Sequence, residues 1–134
     1  MYTVTGKPTE EMVEKFNEDN HIFFRFQNPN WELNKDSKSW GMIYSSEKEA
    51  IKCCEDDGLT KDEAILPGKS CMNTLEGIWE WVDRFNFDTD IVLVFEGDDT
   101  GVNGHDDEYV AEFIKPIAVW SIKDCYNYIY KGDK

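Results

Sequence analysis

The sequence predicts a single small α+β domain over residues 1–134, and three observations carry that expectation. A length of 134 residues with 40% hydrophobic side chains supplies one core. Apolar residues recur at helical spacing in some segments, while in others they alternate or run continuously, as strands require. No internal repeat or low-complexity tract divides the chain. The expected architecture is about five or six short strands with three or four helices, in one sheet or in two small sheets around a cleft.

The first helix is expected from about Thr9 to Asn17. Thr9 would cap the first free amides, Glu10 and Glu11 suit the positive end of the helix dipole, and Met12, Val13 and Phe16 share a face. Asn20 ends it. His21 to Gln27 then has strand character, with Ile22, Phe24 and Phe26 on one side and Phe23 and Arg25 on the other. An arginine among apolar neighbours needs a polar partner.

Asn28 to Trp40 is polar and turn-rich, which predicts an irregular loop over the mouth of the sheet. Gly41 to Ser45 forms a short strand, and Ser46 with Glu49 makes a capping box for a helix carrying Ala50, Ile51, Cys53 and Cys54 inward, as far as Asp57-Gly58. A charged connection from Leu59 to Ser70 follows. Asn73 or Thr74 then caps the clearest helix of the chain, with Leu75, Ile78, Trp79, Val82 and Phe85 along one stripe and Trp81 off it.

Ile91 to Phe95 is a continuous apolar run, hence a strand buried on both faces, which Glu96-Gly97 should terminate. Asp98 to Asp107 turns the chain, and Glu108 to Ile114 and Ile117 to Trp120 give two extended segments divided at Pro116, as a hairpin or a bulged pair. Ser121 and Asp124 open a final helix through Tyr130, with Cys125, Tyr128 and Ile129 facing inward.

Charge narrows the function. With 28 acidic residues against 14 basic ones the chain carries −14, which repels phosphate backbones and anionic lipid surfaces. Direct binding to nucleic acid or membrane is disfavoured, whereas a protein partner with a basic groove suits it. There is no basic segment followed by an apolar run at the start and no stretch of membrane-spanning length, so a cytoplasmic protein is expected. The four cysteines, Cys53, Cys54, Cys71 and Cys125, contain no CxxC pair and are expected to be free thiols in a reducing compartment.

The acidic loop from Asp98 to Glu108 fits a calcium loop poorly. With Asp99 as first ligand, Asn103 and Gly104 match, but Gly101 stands where a carboxylate belongs and Val110 replaces the closing glutamate. No metal site is expected. The only histidines, His21 and His105, are far apart in sequence, and no GxSxG, GxGxxG or GxxxxGK[ST] motif is present.

One constellation carries chemistry: an arginine in an early strand, a serine before a helix, and a glutamate on a late strand near a proline. These are Arg25 in Phe23-Phe24-Arg25-Phe26, Ser45 or Ser46 in Tyr44-Ser45-Ser46, and Glu108 or Glu112 ahead of Pro116. The order of elements from His21 to Ile122 resembles the ADP-ribosyltransferase-like family, whose members bind NAD between two small sheets. The resemblance implies a catalytic set of Arg25, Ser45 and Glu112: Arg25 on the diphosphate, Ser45 on the nicotinamide ribose, and Glu112 stabilising an oxocarbenium-like centre. It also implies NAD binding by Arg25 with Tyr44 or Trp40 as an aromatic face for the nicotinamide. Such a domain is either active or catalytically degenerate and retained for binding.

The rival expectation is a small acidic protein-binding inhibitor, of the kind encoded by phages and mobile elements, that blocks a basic, nucleic-acid-binding partner. Trp31, Trp40, Trp81 and Trp120, which the helical stripe does not place, would supply aromatic anchors for such an interface.

Overall fold

The computed structural model describes residues 1–39, 47–58, 66–103 and 109–131. Among these the fold is α+β, with four α-helices and a four-stranded antiparallel sheet. The expected strand at Gly41–Ser45, the Ser46 cap and the turn around residues 104–108 lie outside the described residues.

Helix α1 is Glu10–Glu18, and the Thr9 hydroxyl accepts a hydrogen bond from the Met12 amide at 3.2 Å as expected of its cap. It lays Val13 and Phe16 into the core. Strand β1, Ile22–Gln27, is buried at every position, because both of its faces are covered. Its even residues face the helices, and Phe23 faces a second cluster on the other side of the sheet.

Two strands of thirteen residues form the centre of the sheet: β5, Ile91–Asn103, and β6, Tyr109–Ser121. The expectation that Glu96-Gly97 ends the first and that Pro116 divides the second is corrected. Register shifts between Val94 and Phe95 and between Glu96 and Gly97 absorb both interruptions as bulges, so the ladder bends and continues. Gly97 fits this bend because a Cβ there would lie 2.8 Å from the Glu112 carbonyl oxygen. Ile91 to Phe95 is buried on both faces, as its apolar run predicts.

The charged connection before Asn73 conceals two further pieces of extended chain. Lys38–Ser39 (β2) pairs antiparallel with Leu66–Pro67 (β3), and Lys69–Cys71 (β4) pairs with Tyr109 to Ala111 at the start of β6. The strand order is β1-β5-β6-β4, and Met72 then exchanges backbone hydrogen bonds with Phe24 at 2.8 and 2.9 Å. The sheet therefore curls until the chain leaving β4 meets β1. Gly68 makes the approach possible: its φ is +93°, and a Cβ would sit 2.8 Å from the Ala111 carbonyl oxygen.

Helix α2, Glu47–Asp56, runs to Gly58 at φ +83° and buries Cys54. Helix α3 is only Leu75–Trp79, capped by the Thr74 hydroxyl on the Gly77 amide, and a 3₁₀ turn at Val82–Arg84 follows. The long helix expected here is broken at Glu80, and that break turns Trp81 into the core at 7% exposure. Trp120, also unplaced by helical spacing, is fully buried. Helix α4, Ile122–Tyr130, begins at Ser121, whose hydroxyl accepts from the Asp124 amide, and buries Cys125 and Tyr128. Helices α1, α3 and α4 cover one side of the sheet; Phe23, Leu93, Phe95, Phe113 and Val119 fill the inside of its curl.

Candidate functional site

Arg25 lies inside the curl, two residues along β1 from Phe23 and on the same side. Its Nε donates to Gln27 Oε1 at 2.9 Å and its Nη1 donates to the Ser70 carbonyl at 2.6 Å, while Gln27 Nε2 donates to the Trp31 carbonyl at 2.6 Å. This relay joins β4, β1 and the loop beyond β1, and it supplies the polar partners a buried guanidinium requires. Lys69 is buried close by, and burial together with the Arg25 charge lowers its ammonium to about 7.

Glu112 occupies the other side of the sheet. Ala111 and Phe113 pack inside the curl, so the intervening Glu112 points outward and is exposed. Arg25 and Glu112 are thus not brought together. Ser45, Tyr44, Trp40 and Glu108 lie outside the described residues.

Polar groups converge elsewhere, at the mouth of the curl. A cleft of about 570 Å³ opens between the end of α1, the start of β1 and the far half of β5, lined by Asp19, His21, Phe23, Asp98, Asp99 and Tyr109. Phe23 and Tyr109 give it an aromatic wall, their ring centroids 6.3 Å apart. The carboxylates are positioned by the backbone: Asp19 Oδ1 accepts from the His21 amide at 2.8 Å, and Asp99 Oδ1 accepts from the Gly101 amide at 2.8 Å. His21 Nδ1 stands 3.9 Å from Asp98 Oδ1, and the His21 carbonyl accepts from the Gly97 amide, tying β1 to the bulge. Among the described residues no group of three or more His, Cys, Asp or Glu side chains is placed to hold a metal ion.

The acidity continues beyond the cleft. Asn17, another lining residue, donates to Glu76 Oε2 at 3.4 Å on α3 and accepts from the Leu75 amide. The charges of Glu76, Glu10 and Glu14 in turn act on Tyr128 of α4, whose hydroxyl is raised above its ordinary pKa first by burial and then by these three carboxylates. The acidic band thus comprises Asp19, Asp98 and Asp99 at the cleft, Glu76 hydrogen-bonded to the cleft residue Asn17, and Glu10 and Glu14, whose charges act with that of Glu76 on Tyr128. The sequence draws attention to the acidic residues after Glu96 but not to α1, although Glu10 and Glu14, one turn apart and flanking the buried face of Val13 and Phe16, carry the signal.

No family model, no curated protein and no solved structure matches the chain.

Proposed function

We propose that this chain is a small acidic protein-binding inhibitor that docks on the basic surface of a nucleic-acid-binding protein and blocks its site. The observation that carries this reading is the grouping of Asp19, Asp98 and Asp99 at one cleft with an aromatic wall, to which Glu76 is linked through Asn17. A net charge of −14 adds long-range attraction to a basic partner and repulsion of its nucleic acid. Four cysteines without a disulfide are compatible with a reducing, cytoplasmic setting, and no helix among the described residues is long and apolar enough to cross a membrane.

Affinity capture from a host lysate at low and high salt, followed by elution with duplex DNA, tests the proposal. A partner retained at low salt, released at high salt and displaced by the duplex is expected. Capture that is indifferent to both salt and DNA would overturn it.

A second proposal is NAD binding, as the ADP-ribosyltransferase-like resemblance implies. Its support is the position of Arg25 on the early strand to which the resemblance assigns diphosphate binding; here the guanidinium is buried and donates to Gln27 and Ser70. Incubation with NAD, scored by thermal shift and by nicotinamide release, tests it; absence of both responses would end the proposal.

A further inference from the structure

A line of aromatic rings leads from the core to the surface. Phe26, fully buried in β1, lies 6.0 Å from Trp79 at the end of α3; Trp79 lies 6.1 Å from Tyr130, Tyr130 4.9 Å from Tyr126, and Tyr126 5.9 Å from Phe87. The outer three rings, Tyr130, Tyr126 and Phe87, are exposed at 61%, 38% and 42%. Their spacing follows from the chain: Tyr126 and Tyr130 are one turn apart on α4. Phe87 sits in a compact loop in which the Asn86 carboxamide accepts from the Asp88 and Thr89 amides and Asp90 accepts from the Asn86 amide. The rings are therefore held in place before any partner arrives, which lowers the entropic cost of docking.

Two features indicate what this ladder takes. Lys131 Nζ stands 5.9 Å from the centre of the Tyr126 ring, so this exposed ring is open to a cation. The ladder also reaches the element that carries Glu76, because Trp79, 6.1 Å from Tyr130, lies three residues after Glu76 on α3. We propose that the ladder Tyr130–Tyr126–Phe87 is a docking track for arginine or lysine side chains of a basic protein partner, which stack on its ring faces while the band holds the rest of the basic surface. This rests on the acidic-docking reading above and names where that partner's cations anchor.

Octa-arginine peptide is the probe, titrated calorimetrically into the full chain at low salt and at about 0.5 M salt, where longer-range attraction is screened. The variant Phe87→Leu/Tyr126→Leu/Tyr130→Leu keeps apolar bulk at exposed positions while removing the aromatic faces. Its expected result is binding about tenfold weaker than the unsubstituted chain's, because no ring face is left for a guanidinium to stack on, in a chain that still unfolds cooperatively at a modestly lower melting temperature. Glu10→Gln/Glu14→Gln/Glu76→Gln should weaken binding chiefly at low salt. If the unsubstituted chain fails to bind the peptide even at low salt, the acidic-docking reading falls and the ladder with it. If it binds and the leucine variant binds equally well, the ladder alone falls. Sedimentation showing a dimer that the leucine variant abolishes would assign the ladder to a second copy of the chain and overturn the proposal.

Discussion

Asp98 and Glu112 stand directly opposite each other on β5 and β6, so that two exposed carboxylates face one another across neighbouring strands. Like charges in this position oppose folding. Glu112→Lys should therefore stabilise the protein by about 0.5–1 kcal/mol in urea unfolding at low salt, with the gain shrinking as salt is added. It should also weaken capture of a basic partner. A gain that survives high salt would show that charge is not its source.

Gly68→Ala should be among the more damaging small substitutions. The position combines a φ of +93° with a Cβ site 2.8 Å from the Ala111 carbonyl oxygen, and that atom belongs to the backbone of a paired strand. A loss of about 2–3 kcal/mol is expected in urea unfolding. The same change at Gly101, where φ is +77° but nothing lies within 4 Å, should cost about 1 kcal/mol.

Stability should rise with pH because of Lys69. Its folded pKa of about 7 lies below the ordinary lysine value of 10.5, so between these values the unfolded chain holds the additional proton. The cost of burying the ammonium is fully present below pH 7 and is relieved as pH rises toward 10.5, an effect on the order of a few kcal/mol. Unfolding measured between pH 7 and 9.0, below the range in which the raised Cys125 thiol acts in the opposite sense, should show the slope, and Lys69→Met should flatten it. Parallel slopes for the two proteins would refute the assignment.

The thiols should separate by burial. Cys53 is half-buried, whereas Cys54, Cys71 and Cys125 are buried, and burial with the neighbouring Asp124 charge pushes the Cys125 thiol well above its ordinary pKa. A thiol reagent should modify Cys53 first in the native protein and the others only on unfolding, as peptide mapping of the labelled chain would record.

Local signals in the sequence specify the elements whose ends are marked by local chemistry. Thr9, Thr74 and Ser121 each accept the amide hydrogen bond expected of a helix cap, and β1 and the first half of β5 are legible from their apolar patterns. Long-range geometry decides the rest. Gly97 and Pro116 have the composition of strand terminators, but pairing along two thirteen-residue strands incorporates them as bulges. Lys69-Ser70-Cys71 has no local strand pattern, and only its pairing with β6 makes it one. The need of Arg25 for a partner is visible in the sequence; that Ser70, forty-five residues away, supplies its carbonyl is not. The acidic site is likewise half legible: the residues after Glu96 stand out, whereas Asp19, Glu10, Glu14 and Glu76 join them only through the packing of α1 and α3 against the sheet.

The curl of the sheet also bears on how this protein behaves in a crowded solution. Met72 occupies the outer side of β1 at Phe24, and Thr5 and Gly6 run along β6 at Val119 and Trp120. The backbone groups at these positions, which an incoming strand would use to extend the sheet, are already engaged by the chain itself. A protein whose work depends on meeting one partner through side-chain charge thereby presents little backbone at those edges for unwanted self-templating and aggregation.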